Sequence, residues 1–310
     1  MSLKNKIAVI TPIEHLKGVK NLLESKGEIF YLQHGSKQEV KKLLIEEKIT
    51  AILCNPNKQG YKIDKELLEY SSVKIINTCS TGLNHIDLTY CENNHIKVFS
   101  LTKDYDLIKN LPSTSELAFG LMLSLLRKIP QGQKHVSEYN WDYLSFVGRQ
   151  VKDLNIGIIG FGRLGKLMND YCKAFGANTF IYDPKINIQQ TSLRDMFLNC
   201  DVISLHVHVN KETKYMIDYD LLKLSNKELY LINTSRGEIV NETHVVRALK
   251  NNFLSGYGTD VVENEFDDIK ESPIIKAMNA NMNIIVTPHV GGMTIEGQTL
   301  AYTYAINKFK

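Results

Sequence analysis

The chain has 310 residues, more than a single hydrophobic core usually fills, so its length predicts two domains. A formal charge of +3, with Lys and Arg spread along the chain, argues against a nucleic-acid or membrane surface and is compatible with a small anionic substrate. Five scattered cysteines form no CxxC pair and have no metal-ligand spacing, which predicts reduced thiols, no metal site and a cytoplasmic protein. No apolar run reaches the length of a membrane span.

The first hundred residues alternate short β-branched runs with helical patterns. Strands are predicted at residues 7–11, 29–32, 51–54 and 73–77, and helices at 16–26 and 37–48. Such alternation is typical of an α/β fold in which a parallel sheet is doubly wound by helices.

A boundary is predicted near Pro112. Ser113 and Glu116 have the spacing of a capping box, and Leu117, Leu121 and Leu125 then recur at helical spacing. Alternation resumes with strands at residues 156–160, 180–183, 202–206, 230–233, 255–260 and 284–287, which predicts a second doubly wound sheet. A closing helix at 294–309 is expected to fold back on the first domain.

A glycine-rich string, GFGRLG, follows the apolar strand that begins the second sheet. Gly160 permits a tight turn, Gly162 lets the backbone approach a pyrophosphate, and Gly165 lets the following helix pack closely on the strand. This context predicts a dinucleotide site, with the phosphates at the helix N-terminus.

Asp183 ends the next predicted strand, 18 residues beyond Gly165. An acid at this position of the fold binds the hydroxyls of the adenosine ribose. A 2′-phosphate would face like charge, at a cost of up to about 4 kcal/mol for a contact near 4 Å, so the sequence predicts NAD as the cofactor.

Three polar residues follow strands of the second sheet: Arg236, Glu265 and His289. The carboxyl ends of parallel strands form the ligand crevice. Arginine can grip a carboxylate bidentately and polarise a neighbouring carbonyl. Histidine titrates near neutral pH, and a carboxylate partner such as Glu265 would orient the ring and stabilise its protonated form. The set suits hydride transfer between a nicotinamide and C2 of a small 2-hydroxy or 2-oxo acid.

The order of motifs resembles the D-isomer-specific 2-hydroxyacid dehydrogenase family, and within it the phosphoglycerate dehydrogenase-like members. The matching strings are CSTGLNHIDL (79–88), STSELAFGLMLSLLR (113–127), GIIGFGRLG (157–165), CDVISLHV (200–207), LINTSRGEIVNE (231–242), GTDVVENE (258–265) and TPHVGG (287–292). No C-terminal regulatory domain is expected after residue 310.

The resemblance implies a Rossmann NAD-binding domain at residues 113–292, inserted into a flavodoxin-like substrate domain at 1–112 that residues 293–310 complete. It implies a homodimer, for which the helix at 117–126 is the expected interface. It also implies Arg236 as substrate anchor, His289 as general acid/base and Glu265 as its partner.

Further positions are implied by the same resemblance. The loop formed by Ser80, Thr81 and Gly82 is expected to bind the substrate carboxylate. Additional cofactor contacts are expected from Thr81, Arg163, Leu164, Val207, Thr234, Ser235, Asp260, Gly291 and Gly292, with Asp260 near the nicotinamide amide.

Two departures from the family pattern affect loops around the site: His208 and Phe266 stand where proline is usual. Two alternative functions stay open, a non-catalytic NAD-sensing interaction protein and a dehydrogenase acting on formate or phosphite.

Overall fold

The computed structural model describes residues 5–56, 60–187, 189–225, 228–265 and 268–309. Phe266 therefore lies outside the described residues. The chain divides into two compact units, unit 1 (residues 1–111 and 293–310) and unit 2 (residues 112–292). None of the helices in the described ranges combines the length and the apolar character needed to cross a membrane.

Unit 1 is built on a parallel sheet of five strands in the order β2-β1-β3-β4-β5. The strands are β1 (Asn5–Val9), β2 (Gly27–Tyr31), β3 (Ala51–Cys54), β4 (Ile75–Thr78) and β5 (Lys97–Phe99). The helices between and after them are α1 (Val19–Glu24), α2 (Lys37–Glu46), α3 (Lys65–Leu68), α4 (Leu88–Asn93) and α5 (Tyr105–Ile108). This strand order is that of flavodoxin-like sheets, as predicted.

Unit 2 begins with α6 (Ser113–Leu126) and α7 (Ile129–Ser137) and continues into a six-stranded parallel sheet in the order β11-β10-β9-β8-β6-β7. Its strands are β6 (Asn155–Ile159), β7 (Asn178–Tyr182), β8 (Val202–Leu205), β9 (Tyr230–Asn233), β10 (Gly256–Thr259) and β11 (Ile284–Val286). The intervening helices are α8 (Arg163–Ala174), α9 (Leu193–Asn199), α10 (Tyr219–Leu222), α11 (Glu242–Lys250) and α12 (Pro273–Asn279).

The last helix, α13 (Ile295–Ile306), returns to unit 1. Thr294 accepts a hydrogen bond from the Gly297 amide and caps it. Tyr302 and Phe309 join Ile7 and Val9 in the core on one face of the sheet, while Ala8 belongs to the core on the other face. Successive residues of β1 thus fill both layers of unit 1, as expected for a strand buried on both sides.

The entry to α6 corrects one prediction, the capping box of Ser113 and Glu116. Pro112 is the N-cap residue, it has helical backbone angles, and no side chain caps the helix. The Ser115 and Glu116 amides bond to the Pro112 carbonyl instead. Ser113 therefore already lies inside the helix, where its hydroxyl cannot serve as an N-cap.

Candidate active site

Two glycines of the turn between β6 and α8 are required by close approach. Gly160 has a φ of +90°, and a Cβ there would stand 2.4 Å from the His206 carbonyl oxygen. A Cβ on Gly165 would stand 2.0 Å from the Gly160 carbonyl oxygen. Any side chain at either position would push α8 or the residues after β8 away from β6, because such contacts are far inside van der Waals distance.

The third glycine leaves room for a ligand. Apart from Gly162 itself and its two chain neighbours, no described residue has an atom within 4 Å of the position that a Cβ on Gly162 would occupy. Gly162 is the N-cap of α8, a helix of 12 residues. The first amides of such a helix attract phosphate oxygens. This open face beside a helix N-terminus fits the pyrophosphate of a dinucleotide.

Two buried polar atoms lie at neighbouring strand ends, and one of them fits a bound group. The Thr234 hydroxyl, after β9, and Nδ1 of His206, after β8, are buried and have no hydrogen-bond partner among the described residues. Buried polar atoms without partners are costly in a folded chain. Thr234 is one of the predicted cofactor contacts, and a cofactor on this edge of the sheet would give its hydroxyl a partner.

Asp183 follows the end of β7 and touches the glycine-rich turn. Its Oδ2 accepts a hydrogen bond from the Phe161 amide at 2.8 Å, and its Oδ1 accepts one from the Lys185 amide at 3.0 Å. Each carboxylate oxygen retains a second lone pair, so the group can also accept from ribose hydroxyls. The two amides hold the carboxylate beside the turn.

Replacing Asp183 by serine is expected to narrow the preference for NADH over NADPH. The serine removes the charge that a 2′-phosphate would meet, a contact that costs up to about 4 kcal/mol at close range. Titration of both cofactors onto the two proteins checks this, with the exposed Asp153→Ser as the matched control. Equal or tighter NADPH binding by the unaltered protein would show that Asp183 does not face the ribose.

The other predicted cofactor contacts of unit 2 lie near the same turn or at the carboxyl ends of neighbouring strands. Arg163 and Leu164 begin α8, and the Leu164 carbonyl accepts from the Ser115 hydroxyl at 2.9 Å. Val207 follows β8 and its Cγ1 would stand 2.7 Å from a Cβ on Gly160. The Ser235 hydroxyl donates to the Leu205 carbonyl and links β8 to the loop after β9. The remaining contacts, Thr234, Asp260, Gly291 and Gly292, follow strands β9, β10 and β11.

His206, which sequence reasoning did not single out, packs behind this turn. Its Nε2 pairs with the Ser204 hydroxyl at 2.9 Å, and burial lowers its pKa to about 4. The next departure from the family pattern, His208, is exposed, and its carbonyl accepts from the Thr213 hydroxyl at 2.6 Å. This bond uses the backbone carbonyl, which the usual proline would also supply, so the replacement leaves the bond to the following loop possible.

His206 is expected to make the protein less stable in acid. Its pKa is lowered in the folded chain, so between about pH 6.5 and pH 4 the unfolded chain binds a proton that the folded chain does not, and stability falls as pH falls. The residue keeps some exposed surface, so about 1–2 kcal/mol of the loss between pH 7 and pH 5 should vanish in His206→Asn. Urea unfolding at both pH values measures this, with His208→Asn as control. An unchanged pH dependence in His206→Asn would contradict the assignment.

His289 and Glu265 lie within ion-pair distance of each other at the carboxyl edge of the sheet of unit 2. Nδ1 of His289 lies 2.8 Å from Oε2 of Glu265, and the side chains are 34% and 17% exposed. With the carboxylate as acceptor, Nδ1 carries the proton and donates. The ring nitrogen that can exchange a proton with a ligand is therefore Nε2.

Asp260 organises the turn that presents His289. Its Oδ1 accepts from the Thr287 hydroxyl and the Val290 amide, and its Oδ2 accepts from the Gly291 amide at 2.7 Å. Its carbonyl accepts from the His289 amide at 2.9 Å. His289 has a φ of +52°, a region that few side chains adopt, so these bonds hold a strained turn. Burial raises the pKa of Asp260, and its hydrogen bonds oppose that rise. The predicted contact of Asp260 with the nicotinamide amide would have to be added to these partners.

The loop after β9 carries Arg236 and is fixed by Asn233. The Asn233 side chain donates to the Arg236 carbonyl at 2.9 Å and accepts from the Ser235 amide at 3.0 Å. One Arg236 nitrogen, Nη1, donates to the Ser235 carbonyl at 2.6 Å. A guanidinium has five N–H donors, so this bond orients the group and leaves donors for a carboxylate.

The predicted carboxylate loop follows β4 in unit 1. The Ser80 hydroxyl donates to the Gly82 carbonyl at 2.9 Å and pairs with the Thr78 hydroxyl, which in turn pairs with Nε2 of the buried His85 at 3.1 Å. The Thr102 hydroxyl donates to the Thr81 carbonyl at 2.8 Å. These bonds fold the loop tightly at the carboxyl end of a strand, where ligands of open parallel sheets bind.

The glycine-rich turn, the acid after β7 and the acid-histidine pair are features of a dinucleotide-dependent oxidoreductase. Residues 119–291 match the family described as D-isomer specific 2-hydroxyacid dehydrogenase, NAD binding domain, and residues 7–107 match the catalytic domain of the same family. The chain therefore belongs to the D-isomer-specific 2-hydroxyacid dehydrogenase family and is an NAD-dependent oxidoreductase. The resemblance and the cofactor predicted from the sequence are confirmed.

Relatives of known name support this membership. The chain is 33% identical over 258 residues to the glyoxylate reductase of Thermococcus litoralis, over 76% of this chain and 73% of the relative. It is 28% identical over 246 residues to the D-3-phosphoglycerate dehydrogenase of Bacillus subtilis, over 76% of this chain and 45% of the relative.

Solved structures show the same architecture. A D-lactate dehydrogenase from Aquifex aeolicus, solved with NAD and lactic acid, is 26% identical with a TM-score of 0.79 over 98% of this chain and 94% of that one. An NAD-dependent formate dehydrogenase from Staphylococcus aureus, solved with NAD, is 27% identical with a TM-score of 0.80 over the same shares. The predicted pair of parallel-sheet domains is confirmed.

Proposed function

We propose that this chain reduces a small 2-oxo acid to the D-2-hydroxy acid, with His289 as general acid, Glu265 as its partner and Arg236 as the substrate anchor. NADH, when bound, supplies the hydride for C2. The observation that carries the proposal is the 2.8 Å contact of His289 with Glu265 at the carboxyl edge of the nucleotide-binding sheet.

The separate roles of His289, Glu265 and Arg236 follow from the chemistry of their side chains. Protonated His289 gives the proton on Nε2 to the substrate oxygen as C2 becomes tetrahedral, which leaves a neutral ring. Glu265 keeps the charged ring in place through Nδ1. Arg236 binds the substrate carboxylate through N–H donors that the Ser235 carbonyl does not use, and its charge polarises the neighbouring carbonyl. In the reverse direction neutral His289 accepts the hydroxyl proton.

The domain assignment and the carboxylate loop are part of the same proposal. We assign residues 1–112 and 293–310 to the substrate domain and 113–292 to the NAD-binding domain, with Ser80, Thr81 and Gly82 as substrate-binding residues. The tight hydrogen bonding of that loop supports the assignment, because a preorganised loop loses little entropy on binding.

Assays with a set of candidate substrates test the proposal. NADH oxidation is followed with glyoxylate, pyruvate and the 2-oxo acid derived from 3-phosphoglycerate, and NAD reduction with formate and phosphite. Turnover of at least one 2-oxo acid is expected. NADH binding without any turnover would favour the non-catalytic NAD sensor.

A formate dehydrogenase is the second candidate because a solved neighbour carries that activity. Oxidation of formate to carbon dioxide moves a hydride but leaves no hydroxyl proton to transfer. The His289 and Glu265 pair would then have no acid/base step to perform, so the pair favours a 2-oxo acid. NAD reduction by formate, with every 2-oxo acid inert, would reverse this preference.

We also propose that the chain forms a homodimer. The apolar residues of α6 that were expected at the interface, such as Leu121 and Leu125, are buried in the core of unit 2. Large side chains farther along the same unit are exposed instead, with Tyr139 at 100% and Trp141 at 91%. Exposed aromatic clusters are typical of interfaces.

Solution mass tests the dimer. At micromolar concentration the protein is expected at twice the 35.3 kDa of one chain, and Trp141→Glu is expected to shift it toward the monomer. The exposed Tyr70→Glu in unit 1 serves as control. A monomeric mass for the unaltered protein would contradict the proposed homodimer.

A further inference from the structure

Glu242 is a buried carboxylate with two hydrogen-bond partners from different segments. It is the first residue of α11 and only 4% exposed. Its Oε1 accepts from the Glu263 amide at 2.7 Å, and its Oε2 accepts from the Ser272 hydroxyl at 3.1 Å. The side chain therefore ties the start of α11 to the loop after β10 and to the N-cap of α12.

These contacts join the two loops that carry the proposed catalytic groups. The first loop runs from the end of β9 to Glu242 and contains Arg236. The second loop follows β10 and contains Glu263, which lies two residues before Glu265. A Cβ on Gly237 would stand 2.1 Å from the Val262 carbonyl carbon and 2.2 Å from the Glu263 nitrogen. The backbones of the two loops are thus in contact, and the Glu242 carboxylate adds a hydrogen bond from the Glu263 amide to this contact.

The environment of Glu242 disfavours the ionised form of its carboxyl group. Burial raises the pKa of Glu242, and the nearby carboxylates Glu263 and Glu238 raise it further, whereas the Glu263 amide and the Ser272 hydroxyl lower it. Tyr215 donates to the Glu263 side chain. Asp268 and Glu271 line the same small cavity. A buried carboxylate close to four other acids is costly to ionise. We therefore expect this carboxylate to serve a purpose that offsets the cost.

We infer that Glu242 is a positioning residue that holds Glu265 against His289 by fixing the backbone at Glu263. The inference rests on the proposed function, because it needs Glu265 to act on His289. Glu242 itself touches neither the substrate nor His289. Its loss would let the segment before Glu265 move, which lengthens the contact with Nδ1 of His289 and weakens the hold on the protonated ring.

The test is a double-mutant cycle read through pH profiles of 2-oxo acid reduction. Reduction needs the protonated ring, so its rate falls as pH rises past the point where the ring loses its proton. Glu265→Gln removes the neighbouring charge, so the midpoint of that fall is expected to move to lower pH. Glu242→Ala is expected to move it in the same direction, with roughly a tenfold loss in kcat/KM near neutral pH. In the Glu265→Gln background the same alanine change should have little further effect.

Two variants separate positioning from general damage. Glu242→Gln keeps one acceptor for the Glu263 amide and should restore most of the activity and the original midpoint. Glu238→Gln removes a neighbouring charge without breaking the tether and should resemble the unaltered protein. If Glu242→Ala does not fold, Glu242→Asp, which is too short to reach both partners, takes its place, and NADH titration confirms that each variant is folded.

Each outcome decides the matter. A midpoint that stays fixed in Glu242→Ala while it moves in Glu265→Gln overturns the role of Glu242 alone. The role is also overturned if Glu242→Ala lowers kcat/KM by the same factor in the unaltered protein and in Glu265→Gln, because the effect would then not pass through Glu265. If Glu265→Gln leaves the profile unchanged, the proposed catalytic pair fails and this inference fails with it.

Discussion

Loss of the His289 imidazole is expected to lower kcat for 2-oxo acid reduction by roughly 10²- to 10⁴-fold, the range for a general acid. NADH affinity should barely change, because the ring is assigned to proton transfer. The backbone of His289 has a φ of +52°, which asparagine tolerates better than alanine does. His289→Asn is therefore the cleaner variant, with His289→Ala beside it.

Steady-state kinetics with the most active 2-oxo acid measure this effect. His95 is exposed and has a similar φ of +55°, so His95→Ala reports the cost of alanine in this backbone conformation alone. Near-normal turnover in His289→Asn would place the proton donor elsewhere and leave the chain without an assigned acid.

The second large effect is expected at Arg236. Lysine keeps the positive charge but loses the planar fork that binds a carboxylate through two N–H groups. Losing one charged hydrogen bond of about 1.5–3 kcal/mol should lower kcat/KM by about 10- to 150-fold in Arg236→Lys. Both KM and kcat should change, because the same group binds the carboxylate and polarises the carbonyl.

Initial rates at varied substrate concentration separate the two parameters in Arg236→Lys. The exposed Arg194→Lys is the matched control and should leave both unchanged. A rise in KM with an unaltered kcat would mean that Arg236 binds the substrate without assisting the chemical step.

The fold followed from the sequence because both sheets are buried on both faces. Buried parallel strands are continuous apolar runs, and glycine and polar residues separate them clearly. For the predicted strands, the bounds agree at residues 51–54 and 230–233 and differ by at most two residues elsewhere; for the helices predicted at 16–26 and 294–309, they differ by up to three residues. β5 (Lys97–Phe99) was missed because three residues at a sheet edge carry too little pattern to distinguish from a loop.

The glycine-rich turn was readable for a similar reason. Gly160 and Gly165 are constrained by contacts with the adjacent strand and helix, so their spacing alone carries the information. The pairing of His289 with Glu265 was predicted from the chemistry of the two residues and was also implied by the family resemblance, and the structure places the two side chains 2.8 Å apart. Their catalytic roles stay predictions.

The supporting residues could not be predicted from spacing. The carboxylate of Asp260 receives its bonds from residues 27 to 31 positions away, and Glu242 reaches residues 21 and 30 positions away. An acid after a strand or at a helix start more often ends a strand or caps a helix, so nothing local distinguishes these two. Only the three-dimensional arrangement shows that Asp260 is bonded to the turn around His289 and Glu242 to the backbone at Glu263.

Transfer of deuterium from labelled NADH to C2 of the product tests the central claim most directly. The protein is incubated with NADH deuterated at the transferable position and with the most active 2-oxo acid, and the product is examined by mass spectrometry and chiral chromatography. One deuterium at C2 of the D-2-hydroxy acid is expected. An unlabelled product, a label at another carbon or the L enantiomer would contradict it.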